Sequence, residues 1–338
     1  MAKASRPVQK RVNPASVPQR AVPPKAKGGP KAKGGRPGGN PKRPVARKAT
    51  FADWIGGARI RTLPLAISPV ALGTGAAFLI STPGWHWVRA LLALAVAIFL
   101  QIGVNYANDY SDGIRGTDSY RVGPSRLTGS GAAKPRTVRT VAFVFFGLGA
   151  LAGLGLAITS GHLWLIIVGV ISIVAAYFYT GGKHPYGYYG LGEIFVFVFF
   201  GLVATLGTTY TQVGTLNLES WLGAIAAGSF ACAVLMVNNI RDIAQDKLAG
   251  KRTFAVLVGN RASRIIFAVF VLIPYAILVF FSIFYPKAPL VYFTLIAALP
   301  AIVITLTGKT APEFILALKL TSFAALIFGV TLGAAIAF

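Results

Sequence analysis

Acidic residues are scarce in this chain: 9 Asp and Glu stand against 33 Lys and Arg in 338 residues. Cysteine is scarcer still, and the single Cys232 excludes an internal disulfide and any cysteine-rich metal site. The three histidines, His86, His162 and His184, fall at no metal-ligand spacing, so no catalysis is assigned to them. Charged residues of either sign make up only 12%, while 55% are hydrophobic. An ordinary soluble domain carries about 25% charged residues. The chain lacks the polar surface to cover itself in water, which excludes a secreted or soluble globular protein.

What charge there is sits at one end. Residues 1–48 hold 14 basic residues, nine prolines and no acid, leaving 19 basic and 9 acidic residues in 49–338. That tail has too little apolar mass to offset ordering entropy, so a disordered basic segment is expected over 1–48. No apolar stretch follows its early charges, so it is not a signal peptide. It has no aromatic side chain on which a base would stack, so nucleic acid is not expected as a partner, whereas anionic membrane lipid is.

From residue 62 onward, apolar runs recur at the length of a hydrocarbon core, about 20 helical residues each. Nine are predicted, over 62–81, 88–108, 138–159, 162–180, 191–211, 219–240, 262–284, 288–307 and 315–338. They show no strand-like alternation, and a lone segment satisfies its backbone in lipid only as a helix. The expected fold is therefore all-α: a multi-pass bundle of nine transmembrane helices over 49–338. Pro64, Pro69, Pro274 and Pro300 predict kinks or breaks. Of the basic residues, 31 fall on the side of the tail and only Arg89 and Lys287 on the other. The positive-inside rule then puts the amino end in the cytoplasm and the carboxyl end outside.

Five of the nine acids crowd two short stretches at the exits of spans two and six. The first reads Asn105-Tyr-Ala-Asn-Asp-Tyr-Ser-Asp-Gly-Ile-Arg-Gly-Thr-Asp118, and the second Asn238-Asn-Ile-Arg-Asp-Ile-Ala-Gln-Asp246. On a helix, Asn105, Asn108, Asp109 and Asp112 recur at three- and four-residue intervals and share a face, as do Asp242 and Asp246 one turn apart. Gly113 and Gly116 are expected to end the first helix and let Asp118 fold back. Carboxylates at membrane depth are costly and point to function. Hard oxygen donors without His or Cys suit Mg²⁺. Arg121, Arg126, Lys134 and Arg136 follow the first cluster, and Lys251 and Arg252 the second. Carboxylates mixed with so many cations suit Mg²⁺ together with a diphosphate, the Arg forks and Lys charges taking the outer oxygens. The competing reading is that these acids and bases simply pair in cytoplasmic salt bridges. Spans 1–4 and 5–8 each place an acidic cluster after their second helix, and parallel repeats would bring the clusters face to face.

Asn108-Asp109-x-x-Asp112 with a following acid, and Asp242-x-x-x-Asp246, resemble the signatures of the UbiA superfamily of intramembrane prenyltransferases. The usual third acid of the first signature would fall at Gly116; here Asp118 takes its place. That spacing looks like the 1,4-dihydroxy-2-naphthoate polyprenyltransferase branch. Arg59-Ile-Arg-Thr-Leu-Pro64, Gly123-Pro-Ser-Arg-Leu-Thr-Gly-Ser-Gly131, Tyr179-Thr-Gly-Gly-Lys-His-Pro-Tyr186, Gly190-Leu-Gly-Glu193 and Ala249-Gly-Lys-Arg-Thr253 point the same way.

The resemblance implies Mg²⁺ as cofactor, held by Asn108, Asp109, Asp112, Asp118, Asp242 and Asp246, with Asp109 either a ligand or a partner behind one. It implies a polyprenyl diphosphate and 1,4-dihydroxy-2-naphthoate as substrates, with loss of CO₂ and diphosphate. Asp112, Asp242 and Lys183 are the expected catalytic residues. Asn105, Asn108, Arg61, Arg126, Lys134, Lys251, Arg252, Tyr179, Glu193 and Asn239 are expected to bind substrate. Tyr179, Tyr186, Tyr188 and Tyr189 offer ring faces to an allylic cation, or form an interfacial aromatic belt. The rival acceptors are 4-hydroxybenzoate and a haem or chlorophyll precursor. A divalent-cation or phosphate carrier would place its acids nearer mid-membrane. A CDP-alcohol phosphotransferase would need an Asp-Gly-x-x-Ala-Arg signature that is absent.

Overall fold

The computed structural model describes residues 47–80, 86–120, 124 and 126–338. The predicted tail therefore lies, up to residue 46, outside the described residues, and so does Arg121. Every regular element among the described residues is helical. In chain order they are α1 (Phe51–Ala58), α2 (Pro64–Ile80), α3 (Trp87–Arg115), α4 (Pro135–Ser160), α5 (Leu165–Phe178) and α6 (Gly192–Val196). They continue with α7 (Ala204–Val213), α8 (Leu218–Leu248), α9 (Phe254–Val258), α10 (Asn260–Phe284), α11 (Leu295–Thr307) and α12 (Ala311–Ala337). A π-helical turn, Phe197–Val203, joins α6 to α7, so Gly192–Val213 runs as one 22-residue helix.

Among the described residues seven helices are long and apolar enough to cross a membrane, and the pair Phe51–Thr62 and Pro64–Ile80, bent by 44°, brings the number to eight when it is counted as one span. Leu63, before Pro64, keeps helical dihedrals (φ −58°, ψ −28°); the residue that leaves the helical region between α1 and α2 is Arg59, left-handed at φ 55°. At Pro69, Pro274 and Pro300 the helices run on without a break. The remaining predicted span, 162–180, is represented by α5, whose 14 residues fall short of the hydrocarbon thickness. Leu151, Ile167, Ile171, Ile283, Phe293 and Ile296 are all exposed, a surface compatible with lipid and not with water. The chain is an integral membrane protein.

Small residues set the helix contacts. In lipid the hydrophobic effect does not drive helices together, so close backbone approach and van der Waals contact must. A Cβ on Gly75 would be driven into the carbonyl of Gly333, and one on Gly329 into the hydroxyl of Ser68. This seals α2 against α12. Replacing Gly75 with Leu is expected to lower stability by about 3 kcal/mol or more, because neither backbone can yield without separating the helices. Thermal unfolding of the detergent-solubilised protein checks it.

Gly113 is likewise a glycine of close packing and not the helix end that the sequence suggests. It does not end α3, which runs on to Arg115 and stops at Gly116 in the left-handed conformation, φ 74°. Gly113 is needed because Thr128 packs where its Cβ would be. The loop after α3 is thus clamped against the helix that carries the first acidic cluster.

Candidate active site

One face of α3 lines a cavity of about 360 Å³. Along that face Ala93, Val96, Leu100, Val104, Asn108 and Asp112 follow one another at helical spacing, apolar at one end and polar at the other. The π turn and α7 add Phe199, Phe200, Val203 and Gly207 to the apolar part. At the polar end α8 supplies Asn238, Asn239, Asp242 and Asp246, so both acidic clusters open into a single chamber. Their approach across three intervening spans is the juxtaposition that the sequence spacing predicts.

Asp112 is the hub. Its side chain is only 3% exposed. Oδ2 accepts a hydrogen bond from Arg126 Nη1 at 2.8 Å, and Oδ1 accepts from the Tyr188 hydroxyl at 2.5 Å and from Lys251 Nζ at 3.2 Å. Arg126 also donates to the Asn108 carbonyl at 2.9 Å and lies 3.5 Å from Asp118 Oδ1. Burial alone works against the Arg126 charge, yet Asp112, Asp118, Asp109 and Asp242 outweigh it and raise the guanidinium pKa. Lys251 Nζ sits 4.5 Å from the Tyr188 ring centre, a cation–π contact. Burial, with Asp112 beside it, pushes the Tyr188 phenol pKa up, so Tyr188 remains a hydrogen-bond donor.

The second cluster is arranged differently. Asp242 is gripped side-on by its neighbour Arg241, with Nε to Oδ1 at 2.8 Å and Nη2 to Oδ2 at 2.5 Å. Asp246 accepts from Thr253 at 3.4 Å, and its backbone carbonyl accepts from the Lys251 amide at 2.8 Å. That bond folds the 249–253 loop back so that Lys251 reaches Asp112.

The other predicted residues divide. Arg61, Asn105, Asn108, Tyr179 and Asn239 line the chamber. Asn108 Oδ1 accepts from Thr180 at 2.7 Å, and the Asn105 amide donates to the Ala58 carbonyl at 3.0 Å, anchoring the segment before α2 over the mouth. Asp109 does not share the chamber face. Its two oxygens accept the backbone N–H groups of Leu127 and Thr128 at 2.9 and 2.8 Å. Asp118 stands behind Arg126 and Glu193 behind Asn239, whose amide donates to it at 3.0 Å. Lys134, Lys183 and Arg252 are exposed and do not line the chamber. The Arg252 amide instead donates to the Tyr188 carbonyl, fixing the loop that carries that phenol. Tyr186 and Tyr188 line the chamber with Tyr179, while Tyr189 is exposed.

Sequence reasoning missed three contributors. Arg59 lines the mouth and has a left-handed backbone, φ 55°. Arg115 donates to the carbonyls of Thr180 and Gly182, holding the 179–188 segment over the site. Arg241 pairs with Asp242; its adjacency within Asn-Ile-Arg-Asp was the available signal.

Among the described residues no three carboxylate, His or Cys groups are drawn together as a ready-made metal cage. The carboxylates facing the chamber are Asp112, Asp242 and Asp246, joined by the amide oxygens of Asn residues such as Asn108, and Lys251 and Arg126 line the same space. Such a donor set fits Mg²⁺ bound together with phosphate oxygens better than a bare ion.

A membrane-embedded chamber with facing acids at its polar end and an apolar bore behind them is the architecture of an intramembrane prenyl-transfer site. The UbiA prenyltransferase family model matches residues 66–314, and the chain belongs to that family. The 1,4-dihydroxy-2-naphthoate octaprenyltransferase of Mycobacterium tuberculosis is 57% identical over 219 residues, covering 65% of this chain and 74% of that protein. The enzyme of the same name from Mycobacterium leprae is 53% identical over 216 residues, covering 64% and 72%. Among solved structures, a UbiA homologue from Archaeoglobus fulgidus bound to GPP and Mg²⁺ superposes with a TM-score of 0.58 at 15% identity. That match covers 85% of this chain and 100% of the other and supports the shared fold.

Proposed function

We propose that the protein transfers a polyprenyl group from a polyprenyl diphosphate to 1,4-dihydroxy-2-naphthoate in a Mg²⁺-dependent reaction, releasing CO₂ and diphosphate and giving demethylmenaquinol. The observation that carries this reading is the meeting of Asp112 and Asp242 in one chamber whose other end is an apolar bore. The names of the mycobacterial relatives support the acceptor. The site is read as lying at the cytoplasmic face of a bacterial cell membrane, with nine spans if α5 is counted, a basic cytoplasmic tail over 1–48 and the carboxyl end outside. The excess of Lys and Arg on one side supports that orientation.

Asn108, Asp112, Asp242 and Asp246 would hold the metal, with Asp118 and Asp109 bracing the loop and Arg126 behind them. Bound with the diphosphate, Mg²⁺ supplies the Lewis acid that neutralises charge on the leaving group. Arg126 and Lys251, which now share Asp112, are placed to turn toward the outer phosphate oxygens, and Arg61 reaches the same space from the mouth. Charge developing on the diphosphate is thereby met by groups already in position. As the C–O bond opens, the faces of Tyr179 and Tyr186 stand next to the chamber where the allylic cation forms. The electron-rich naphthoate ring attacks that carbon, the carboxylate leaves as CO₂, and tautomerisation restores the aromatic ring.

The test is an assay of purified protein in detergent with Mg²⁺, a polyprenyl diphosphate and one aromatic acid at a time. The expected outcome is consumption of 1,4-dihydroxy-2-naphthoate with one CO₂ per product. Turnover of 4-hydroxybenzoate in its place, without CO₂, would move the protein to another acceptor class.

A further inference from the structure

Gln101 breaks into the apolar row on α3. It lines the chamber one turn before Asn105, so the two amides stand one above the other on the lining face. Both are almost fully buried, at 4% and 5% exposure. Each has its nitrogen tied to the backbone of the segment before α2. Gln101 Nε2 donates to the Thr62 carbonyl at 2.5 Å, and Asn105 Nδ2 to the Ala58 carbonyl at 3.0 Å. A backbone carbonyl takes a hydrogen bond only from the nitrogen end of an amide. Neither side chain can therefore turn over, and the oxygen is the free end of each.

Those oxygens go unmet. Gln101 Oε1 is buried without a partner, and among the described residues no group donates to Asn105 Oδ1. The hydroxyls on the chamber wall are engaged elsewhere: those of Thr62, Ser172, Thr208 and Thr211 donate to backbone carbonyls, and that of Thr180 to Asn108. A buried acceptor without a donor is costly, so a pair of them in a cavity wall points to a ligand that brings the hydrogen. Position says which ligand. Asn105 stands seven residues before Asp112, about 10 Å along the helix. A diphosphate held at Asp112 brings its allylic carbon into that interval, and the ring that attacks it must lie against the same stretch of wall. In 1,4-dihydroxy-2-naphthoate the 1-hydroxyl is turned onto the neighbouring carboxylate, so the 4-hydroxyl is the one with a hydrogen to give.

We propose that Gln101 and Asn105 form the subsite for that hydroxyl: their amide oxygens receive its hydrogen and so select a hydroquinone acid over a ring that lacks the group. The proposal rests on the reading of 1,4-dihydroxy-2-naphthoate as the acceptor and deepens it. Both are specificity-determining residues, and no bond is made or broken on them. A site built around a substrate hydroxyl discriminates strongly against the analogue without it, because the site's own polar groups are then left unpaired.

Isothermal titration of the full chain in detergent, under argon with Mg²⁺ and inorganic diphosphate, compares 1,4-dihydroxy-2-naphthoate with 1-hydroxy-2-naphthoate. The parent protein is expected to bind the dihydroxy acid at least about tenfold more tightly, the effect of one buried hydrogen bond and the acceptor it satisfies. In Gln101→Met, which keeps the length of the side chain, and in Asn105→Ala, that ratio is expected to fall at least about fivefold. A role limited to tying the segment before α2 onto α3 would weaken both acids alike. The ratio would then stay unmoved, and the subsite would be overturned. Equal affinities in the parent would overturn it without any variant, since water would then serve the two oxygens as well as the hydroxyl does. If the parent fails either comparison yet turns over 1,4-dihydroxy-2-naphthoate, the proposed function stands and the subsite alone falls. If it binds neither naphthoate, both fall.

Discussion

Asp112→Asn is expected to reduce turnover by about 10³-fold or more while the protein stays folded. Asp112 is where the two halves of the site meet: a helix before the clamped loop supplies the carboxylate, and Arg126, Tyr188 and Lys251 reach it from three later segments. Removing its charge takes away a carboxylate proposed to hold the metal and releases two cations whose placement depends on it. Folding survives because Arg126 keeps the Asn108 carbonyl and Asp118 as partners. Asp242→Asn is expected to act similarly, since Arg241 would lose half of a side-on pair. Asp109→Asn separates chemistry from architecture. One of the two backbone N–H groups would face an amide donor, at a cost of about 2 kcal/mol, so Tm falls while a measurable fraction of turnover remains. Steady-state rates, with size-exclusion profiles and Tm for each variant, are the measurements. Full turnover in both Asp112→Asn and Asp242→Asn would show that the chemistry happens elsewhere.

The contrast between Asp112 and Asp109 also marks how far the sequence could be read. Helical spacing correctly brought Asn105, Asn108 and Asp112 to one face, and the repeat of acidic clusters at two span exits anticipated their shared chamber. Spacing could not assign Asp109, because three- and four-residue steps leave a face wide enough to include it. What decides is the 126–130 loop, whose amides claim both its oxygens. The same limit explains Lys134, Lys183 and Arg252. Each follows a motif closely in sequence, but loop geometry turns each to the surface, whereas Lys251 is drawn inward by its own backbone bond to Asp246. The π turn at Phe197–Val203 left no periodic trace, since a single wide turn shifts a hydrophobic face by less than composition resolves.

Chelation is the second large effect. EDTA is expected to abolish turnover and Mg²⁺ to restore it, yet Tm should move little when the metal is removed. The reason lies in how the acids are held without a metal. Asp112 has Arg126 and Lys251, Asp242 has Arg241, and Asp118 has Arg126, so no carboxylate in these pairs needs an ion to remain folded. A structural metal behaves oppositely, because its binding energy is folding energy. Internal cations competing for the same carboxylates should also make Mg²⁺ alone a weak ligand. Diphosphate gives Arg126 and Lys251 somewhere to go, so each partner is expected to bind more tightly in the presence of the other, and by the same factor. Thermal shift with Mg²⁺, with inorganic diphosphate and with both reads this directly: the combined rise in Tm should exceed the sum of the separate rises. Simple additivity would mean that metal and anion occupy independent sites, and the shared chamber would lose its chemical meaning.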